Sequence, residues 1–142
     1  MAGKILVIDD DADIREAMTL VLESKGYQVV TAQDGIEGLA SLKAENPDLM
    51  ILDLLMPKMD GFNVMKELRD PKWSKYHNIP ILIQTAVREE ASRRRYELET
   101  GVELGADDYI EKPISPEVLL IKVKRHIQRK QEAEARSGKT TE

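Results

Sequence analysis

Five side chains that could do chemistry together are widely separated in the chain: Asp9, Asp10, Asp53, Thr85 and Lys112. Each lies at or just beyond the end of a short apolar run. Three carboxylates gathered in a partly dry site repel one another, which raises at least one pKa. A divalent cation resolves that conflict; magnesium, a hard ion, takes one or two carboxylates, phosphate oxygens and water. The carboxylate nearest the mouth, Asp53, could then attack a phosphoryl group as a nucleophile. Lys112 would offset negative charge, and Thr85 could donate a hydrogen bond to a phosphoryl oxygen. Phosphoryl transfer depends on positioning and charge neutralisation more than on covalent help, so this set suffices.

Taken singly, none of these residues means much. An Asp at a strand end is usually a helix cap or a solvated acid. A lone Lys112 reads as a surface lysine and a lone Thr85 as a turn residue. Asp11 and Asp13 keep the plain reading of caps, and Asp107 and Asp108 that of loop acids. Joint placement at strand ends is what carries the chemistry.

The elements that position them follow from periodicity. Short apolar runs at Ile5–Ile8, Gln28–Thr31, Leu49–Leu55, Ile79–Ile83 and Asp108–Ile110 read as strands. Between them, Ile14, Ala17, Met18, Val21 and Leu22 recur at helical spacing and draw one apolar stripe. Ile36, Leu39 and Ala40 begin a second stripe, and Val64, Met65 and Leu68 a third. Val87, Ala91, Arg94, Leu98 and Val102 outline a weaker fourth; Leu119, Leu120, Val123 and Ile127 form the fifth. Asp11 or Asp13 caps the first helix, with Asp13 and Glu16 spaced as a capping box. Gly26 follows that helix where a left-handed residue is favoured. Ser115-Pro116 supplies a cap and a first-turn proline for the last.

Strands alternating with helices imply an α/β fold, a doubly wound, five-stranded parallel sheet with helices on both faces. Runs apolar throughout fit strands covered on both sides. Such sheets bind ligands beyond the carboxyl ends of their strands, the edge where the acids, Thr85 and Lys112 converge. The folded domain is expected over 4–128. Residues 129–142 form a polar C-terminal extension, helix end first and then disordered.

Composition excludes other chemistries. The 142 residues suit one domain, 42% hydrophobic and 33% charged, with aromatics at only 4%, so Ile, Leu, Val, Met and Ala must build the core. Without cysteine there is no disulfide, thiolate catalysis or cysteine-ligated metal. His77 and His126 stand apart, which disfavours a multi-histidine site. A net charge of −5 argues against nucleic acid as main partner. The run Arg93-Arg94-Arg95 is flanked by Glu89, Glu90, Glu97 and Glu99 and reads as a mixed, solvated helix face. No apolar run reaches the roughly 20 residues a bilayer span needs, and the N-terminus lacks a signal-peptide pattern, so a cytoplasmic chain is expected.

Four strings in order closely resemble the receiver domain of two-component response regulators: Val7-Ile8-Asp9-Asp10, Leu52-Asp53-Leu54-Leu55-Met56-Pro57-Lys58-Met59-Asp60-Gly61, Thr85-Ala86, and Gly105-Ala106-Asp107-Asp108-Tyr109-Ile110-Glu111-Lys112-Pro113. The likeness runs from about Lys4 to Ile127, and the chain resembles single-domain chemotaxis-type regulators. It implies a flavodoxin-like three-layer sandwich with strand order 2-1-3-4-5, an order for which receivers are themselves a standard example. It also implies that Asp53 accepts phosphate from a phosphohistidine of a sensor histidine kinase or phosphotransfer protein. Asp10, Asp53 and the backbone carbonyl of Leu55 would ligate Mg2+, with Asp9 acting through water. Thr85 and Lys112 would sense the phosphate, Tyr109 would turn inward when Thr85 shifts, and the Lys112-Pro113 bond would be cis. The output would be a changed surface for a downstream effector protein, with a homodimer through the fourth and fifth helices left open.

Two departures qualify the resemblance. The stretch from Thr85 to Gly105 is longer than the family pattern by about one helical turn, on the face receivers commonly use for partners. Leu55 and Val87, flanking the site, are apolar; they offer nothing to orient an attacking water and are expected to shield Asp53, favouring a long-lived phosphorylated state. Two other readings compete. Asp9-Asp10-Asp11 contains an Asp-x-Asp reminiscent of haloacid-dehalogenase-type phosphatases, with Asp107, Asp108 and Lys112 as later motifs. The chain could also be a binding module with a vestigial acidic site.

Overall fold

The chain was analysed as a computed structural model, which describes residues 2–141 and the side chains as far as Ser137. Strands and helices alternate: β1 (Lys4–Ile8), α1 (Ala12–Glu23), β2 (Gln28–Ala32), α2 (Gly35–Glu45), β3 (Leu49–Asp53), α3 (Gly61–Leu68), β4 (Ile81–Thr85), α4 (Val87–Thr100), β5 (Asp108–Glu111) and α5 (Pro116–Thr141). All neighbouring strands pair in parallel, in the order β2-β1-β3-β4-β5. This is the expected doubly wound sheet. Because side chains alternate along a strand, it divides two cores. Ile5, Val7, Leu49, Ile51 and Leu82 pack against Met18, Leu22, Leu119, Val123 and Ile127 of α1 and α5. Leu6, Ile8, Met50, Leu52 and Ile83 face Leu42, Val64 and Met65 of α2 and α3. Every residue of β3 is buried, as befits the central strand.

Several element boundaries differ from the periodicity. The run Leu49–Leu55 stops pairing at Asp53, so Leu54 and Leu55 begin the loop beneath the site. The fourth strand starts at Ile81, two residues later than the run Ile79–Ile83, because Pro80 has no N–H for the ladder. Ile79 is nevertheless buried, at the end of a linker that coils into a 3-10 helix, Pro71–Tyr76, with Trp73 inserted into the core. Asp11, and not Asp13, caps α1 by accepting the N–H groups of Asp13 and Ile14. Gly26 takes the expected left-handed conformation, φ 87°. Ser115 precedes α5, whose first residue is Pro116. The polar 129–142 extension, expected to end disordered, continues α5 through Thr141, helped by good helix formers and a Lys130–Glu134 pair.

The largest difference is α4. Its expected apolar stripe faces solvent: Val87 and Leu98 are 87% and 86% exposed. Glu89 is the helix's buried residue. Apart from Tyr96, which packs half-buried beside Phe62, polar contacts hold the inner face. Arg93 forks between Glu90 and Glu97 and lies 5.3 Å from the Tyr109 ring centroid, and Glu97 also accepts the Leu104 N–H.

Asp107 and Asp108 are more than loop acids. Asp107 accepts the N–H of Ile81, closing the start of β4 onto β5. Asp108 accepts from its neighbour's N–H, from Lys122 and from the buried His126, so it ties β5 to α5. Burial alone would raise its pKa, but bonds from His126, Tyr109 N–H and Lys122 outweigh it and hold the value at about 2. A carboxyl lowered in the fold stabilises above its unfolded pKa, and that contribution fades as pH falls from about 4 toward 2. Asp108→Asn should therefore cost about 2 kcal/mol in urea unfolding at neutral pH. The deficit against wild type should shrink below pH 4; equal stability at neutral pH would contradict the clamp.

Candidate functional site

The carboxyl ends of β1, β3, β4 and β5 lie on one edge of the sheet, and the expected side chains meet there. Asp9, Asp10 and Asp53 each place a carboxylate oxygen within 4.8 Å of the others. Asp9 and Asp53 are buried, whereas Asp10 is exposed at the mouth. The Lys112 ammonium reaches across from the β5 end, 3.3 Å from Asp53 Oδ1. Its backbone N–H donates to the Thr85 carbonyl at 2.7 Å, so the loop carrying the lysine is stitched to the end of β4. The Lys112–Pro113 peptide is cis, as the resemblance implied.

The fold around Asp53 is built for close approach. A Cβ on Gly61 would sit 2.4 Å from the Asp53 carbonyl oxygen and 2.8 Å from the Leu54 Cα, so only glycine lets α3 begin there. Gly61 N–H then binds the Leu54 carbonyl, and Asp60 caps the helix. The Met56–Asp60 turn returns the chain with Lys58 in the left-handed region, φ 66°. That gives the turn its role: it presses the start of α3 against the strand end that carries Asp53.

Electrostatics leave the cluster unsatisfied. Burial, then the charge of Asp9, pushes the Asp53 carboxyl up to about 6 despite Lys112. Asp9 is raised as well, by burial, against bonds from the Asp11 N–H and Gln84. Both Asp9 oxygens are engaged: Oδ1 accepts Asp11 N–H at 2.8 Å and Oδ2 accepts Gln84 Nε2 at 2.9 Å. Lys112 is pulled down by burial but raised overall by Glu89 and Asp53. Hard, anionic oxygens with one cation among them suit a divalent cation.

Tyr109 is half-buried and packs against the α2/α3 core, with Arg93 beside its ring. Leu55 is half-buried on the same core. Val87 does not shield Asp53 as expected, since it points to solvent; Asp53 is nonetheless only 3% exposed. Asp107 and Asp108 stand at the amino end of β5, opposite Lys112, so they cannot act as later motifs of a phosphatase.

Two residues of the site had gone unnoticed. Glu89, from the first turn of α4, accepts from Lys112 at 3.0 Å, closer than Asp53 does. It had no local signal, being one acid on a charged helix. Gln84 had one, a lone amide at the end of an apolar run. It pairs in register with Asp53, is fully buried, and its Oε1 has no hydrogen-bond partner among the described residues.

A parallel 2-1-3-4-5 sheet with an acidic cluster on its carboxyl edge defines a class, and comparison with known proteins agrees. The family model for the response regulator receiver domain matches residues 5–124. The chain belongs to that family. It is 43% identical over 135 residues to the "probable transcriptional regulator ycf27" of Porphyridium aerugineum, covering 95% of this chain and 52% of that one. To the alkaline phosphatase synthesis transcriptional regulatory protein PhoP of Bacillus subtilis it is 43% identical over 129 residues, 91% of this chain and 50% of that one. The chain thus spans about half the length of the curated relatives it matches. Among solved structures, the signal receiver domain of a signal transduction histidine kinase from Syntrophus aciditrophicus superposes with a TM-score of 0.74. Its identity is 33%, over 89% of this chain and 91% of that one. A response regulator receiver domain protein from Clostridium thermocellum gives 0.75 at 29%, over 92% and 98%. Response regulators signal through phosphorylation, and among the described residues no helix is long and apolar enough to cross a membrane.

A carboxyl raised in the fold penalises folding once ionised: the penalty is absent below about pH 4 and complete above about pH 6. In metal-free buffer at pH 7, Asp53→Asn should therefore stabilise the protein by about 2 kcal/mol. The gain should disappear toward pH 4; a destabilised variant at pH 7 would contradict the burial argument.

Proposed function

We propose that this chain is a phosphorylation switch whose phosphoacceptor is Asp53, working with Mg2+ held by Asp10, Asp53 and the Leu55 carbonyl, and with Asp9 acting through water. The observation that carries this reading is the buried Asp53 carboxylate in a three-acid cluster, behind the exposed Asp10 and with Lys112 as its cation. Full engagement of both Asp9 oxygens favours its indirect role. Magnesium would neutralise the cluster and draw the phosphodonor oxygens toward it.

In the transfer step, an Asp53 oxygen attacks the phosphorus of a phosphohistidine on a sensor kinase or phosphotransfer protein. The P–O bond forms as the P–N bond breaks; its electron pair leaves with the imidazole nitrogen. The product is an acyl phosphate. Its extra charge and acceptor oxygens attract Lys112, the Thr85 hydroxyl and the Ala86 amide. Ala86 begins α4 without a side-chain cap, so the first amides of that helix are available to an anion. A shift of Thr85 vacates space into which the half-buried Tyr109 turns, changing the α4–β5–α5 surface that meets an effector protein. A receiver does this without substrate turnover, apart from slow self-dephosphorylation.

The test is incubation with Mg2+ and a small acyl phosphodonor, followed by mass-spectrometric mapping of the modified side chain. Modification should fall on Asp53 alone and require the metal; modification of His77 or His126, or none, would overturn the reading. The phosphoryl group should be long-lived, because Leu55 cannot orient a water. Leu55→Asn should shorten its half-life by about tenfold, less than full general acid–base catalysis because an amide only orients the water; an unchanged half-life would remove Leu55 from the argument.

A further inference from the structure

The Lys112 ammonium is shared between two carboxylates, and the nearer one is not at the acidic cluster. Glu89 Oε2 lies 3.0 Å from Lys112 Nζ, against 3.3 Å for Asp53 Oδ1. The Glu89 side chain is 9% exposed and lies in the first turn of α4, where the helix dipole favours an anion. Glu89 is also the buried residue of α4, whose Val87 and Leu98 face solvent and whose Tyr96 packs half-buried beside Phe62. Lys112 and α4 are thereby joined at a part-buried ion pair.

We infer that Glu89 is a positioning residue that holds Lys112 part-way back from Asp53 and sets how strongly the site favours its phosphorylated form. The inference rests on Asp53 being the phosphoacceptor. A phosphoryl group on Asp53 competes with Glu89 for the one ammonium. When the phosphoryl group wins, Glu89 is left as a buried carboxylate without its cation, which is costly enough that it must turn toward water. Because Glu89 belongs to the first turn of α4, that turn moves with it. Release of Lys112 is thus coupled to the start of α4, independently of Thr85 and Tyr109.

Removing the Glu89 charge has opposite consequences for the two ligands of the site. A metal cation loses a nearby anion and binds less well. An anionic phosphoryl group loses both a repelling charge and a competitor for Lys112, and binds better. A residue that merely supported the fold would move both affinities the same way, or neither.

The experiment is calorimetric titration of the full chain with Mg2+, then with beryllofluoride at saturating Mg2+, the second reporting a phosphoryl mimic on Asp53. Glu89→Gln should weaken magnesium binding about threefold and tighten beryllofluoride about tenfold, the latter equivalent to about 1.4 kcal/mol. Glu89→Asp, which keeps the charge but shortens the reach, should retain magnesium affinity yet share part of the beryllofluoride gain. In a Lys112→Met background, Glu89→Gln should no longer tighten beryllofluoride. The exposed Glu99→Gln serves as the charge control and should change neither affinity. If wild type binds beryllofluoride but Glu89→Gln and Glu89→Asp both leave it unchanged or weakened, Glu89 has no such role. If wild type itself fails to bind it, the phosphoacceptor reading beneath the inference is what fails.

Discussion

The structure depends on one unresolved repulsion. Asp9, Asp10 and Asp53 meet at the carboxyl edge of a parallel sheet, two of them buried, with a single ammonium close by. Burial first, and then the charge of Asp9, puts the Asp53 carboxyl near 6. The fold tolerates the cost because the surrounding packing over-determines it: β3 is buried along its whole length, and Gly61 clamps α3 against the Asp53 backbone. Under the proposed function, a cation and then a phosphoryl group would gain binding energy by relieving that repulsion.

Lys112 decides where that energy goes. Its backbone is tied to Thr85 at the end of β4, while its ammonium is divided between Asp53 and Glu89. On the proposed mechanism, a change in charge at Asp53 would redistribute the ammonium and so reach β4, β5 and α4. The inner face of α4 is well suited to respond. It is held by Glu89–Lys112, by Arg93 against the Tyr109 ring, and by the half-buried Tyr96 packed beside Phe62. Ion pairs at a partly solvated surface can exchange partners at small net cost, unlike a packed core.

Much of this was legible in the chain. Apolar runs in regular alternation with helical stripes lead to the sheet, and polar residues at successive run ends lead to the site. Those signals are strong because burial on both faces forces continuous apolar strands, and a parallel sheet forces all carboxyl ends to one edge. What periodicity cannot show is which face of a helix meets the protein when polar partners do the holding. The α4 stripe of Val87, Ala91 and Leu98 reads as inward and faces outward, because Glu89 and Arg93 find buried partners on β5 and its following loop. Glu89 is invisible for the same reason: its importance lies in Lys112, distant in sequence. The shift of β4 to Ile81 was within reach, since Pro80 marks it, whereas the 3-10 helix before it depends on Trp73 reaching the core. Asp108 likewise shows its worth only once α5 brings Lys122 and His126 against it.

The claim that the acidic cluster is a charge conflict awaiting a cation is tested most directly by one titration. Thermal unfolding of the full chain at neutral pH would be followed over increasing Mg2+ concentration. A ligand that binds only the folded state raises the midpoint with its concentration. A saturable rise, matching a single site and abolished in Asp10→Asn, is the result expected. A midpoint indifferent to magnesium, or a rise that persists undiminished in Asp10→Asn, would contradict it.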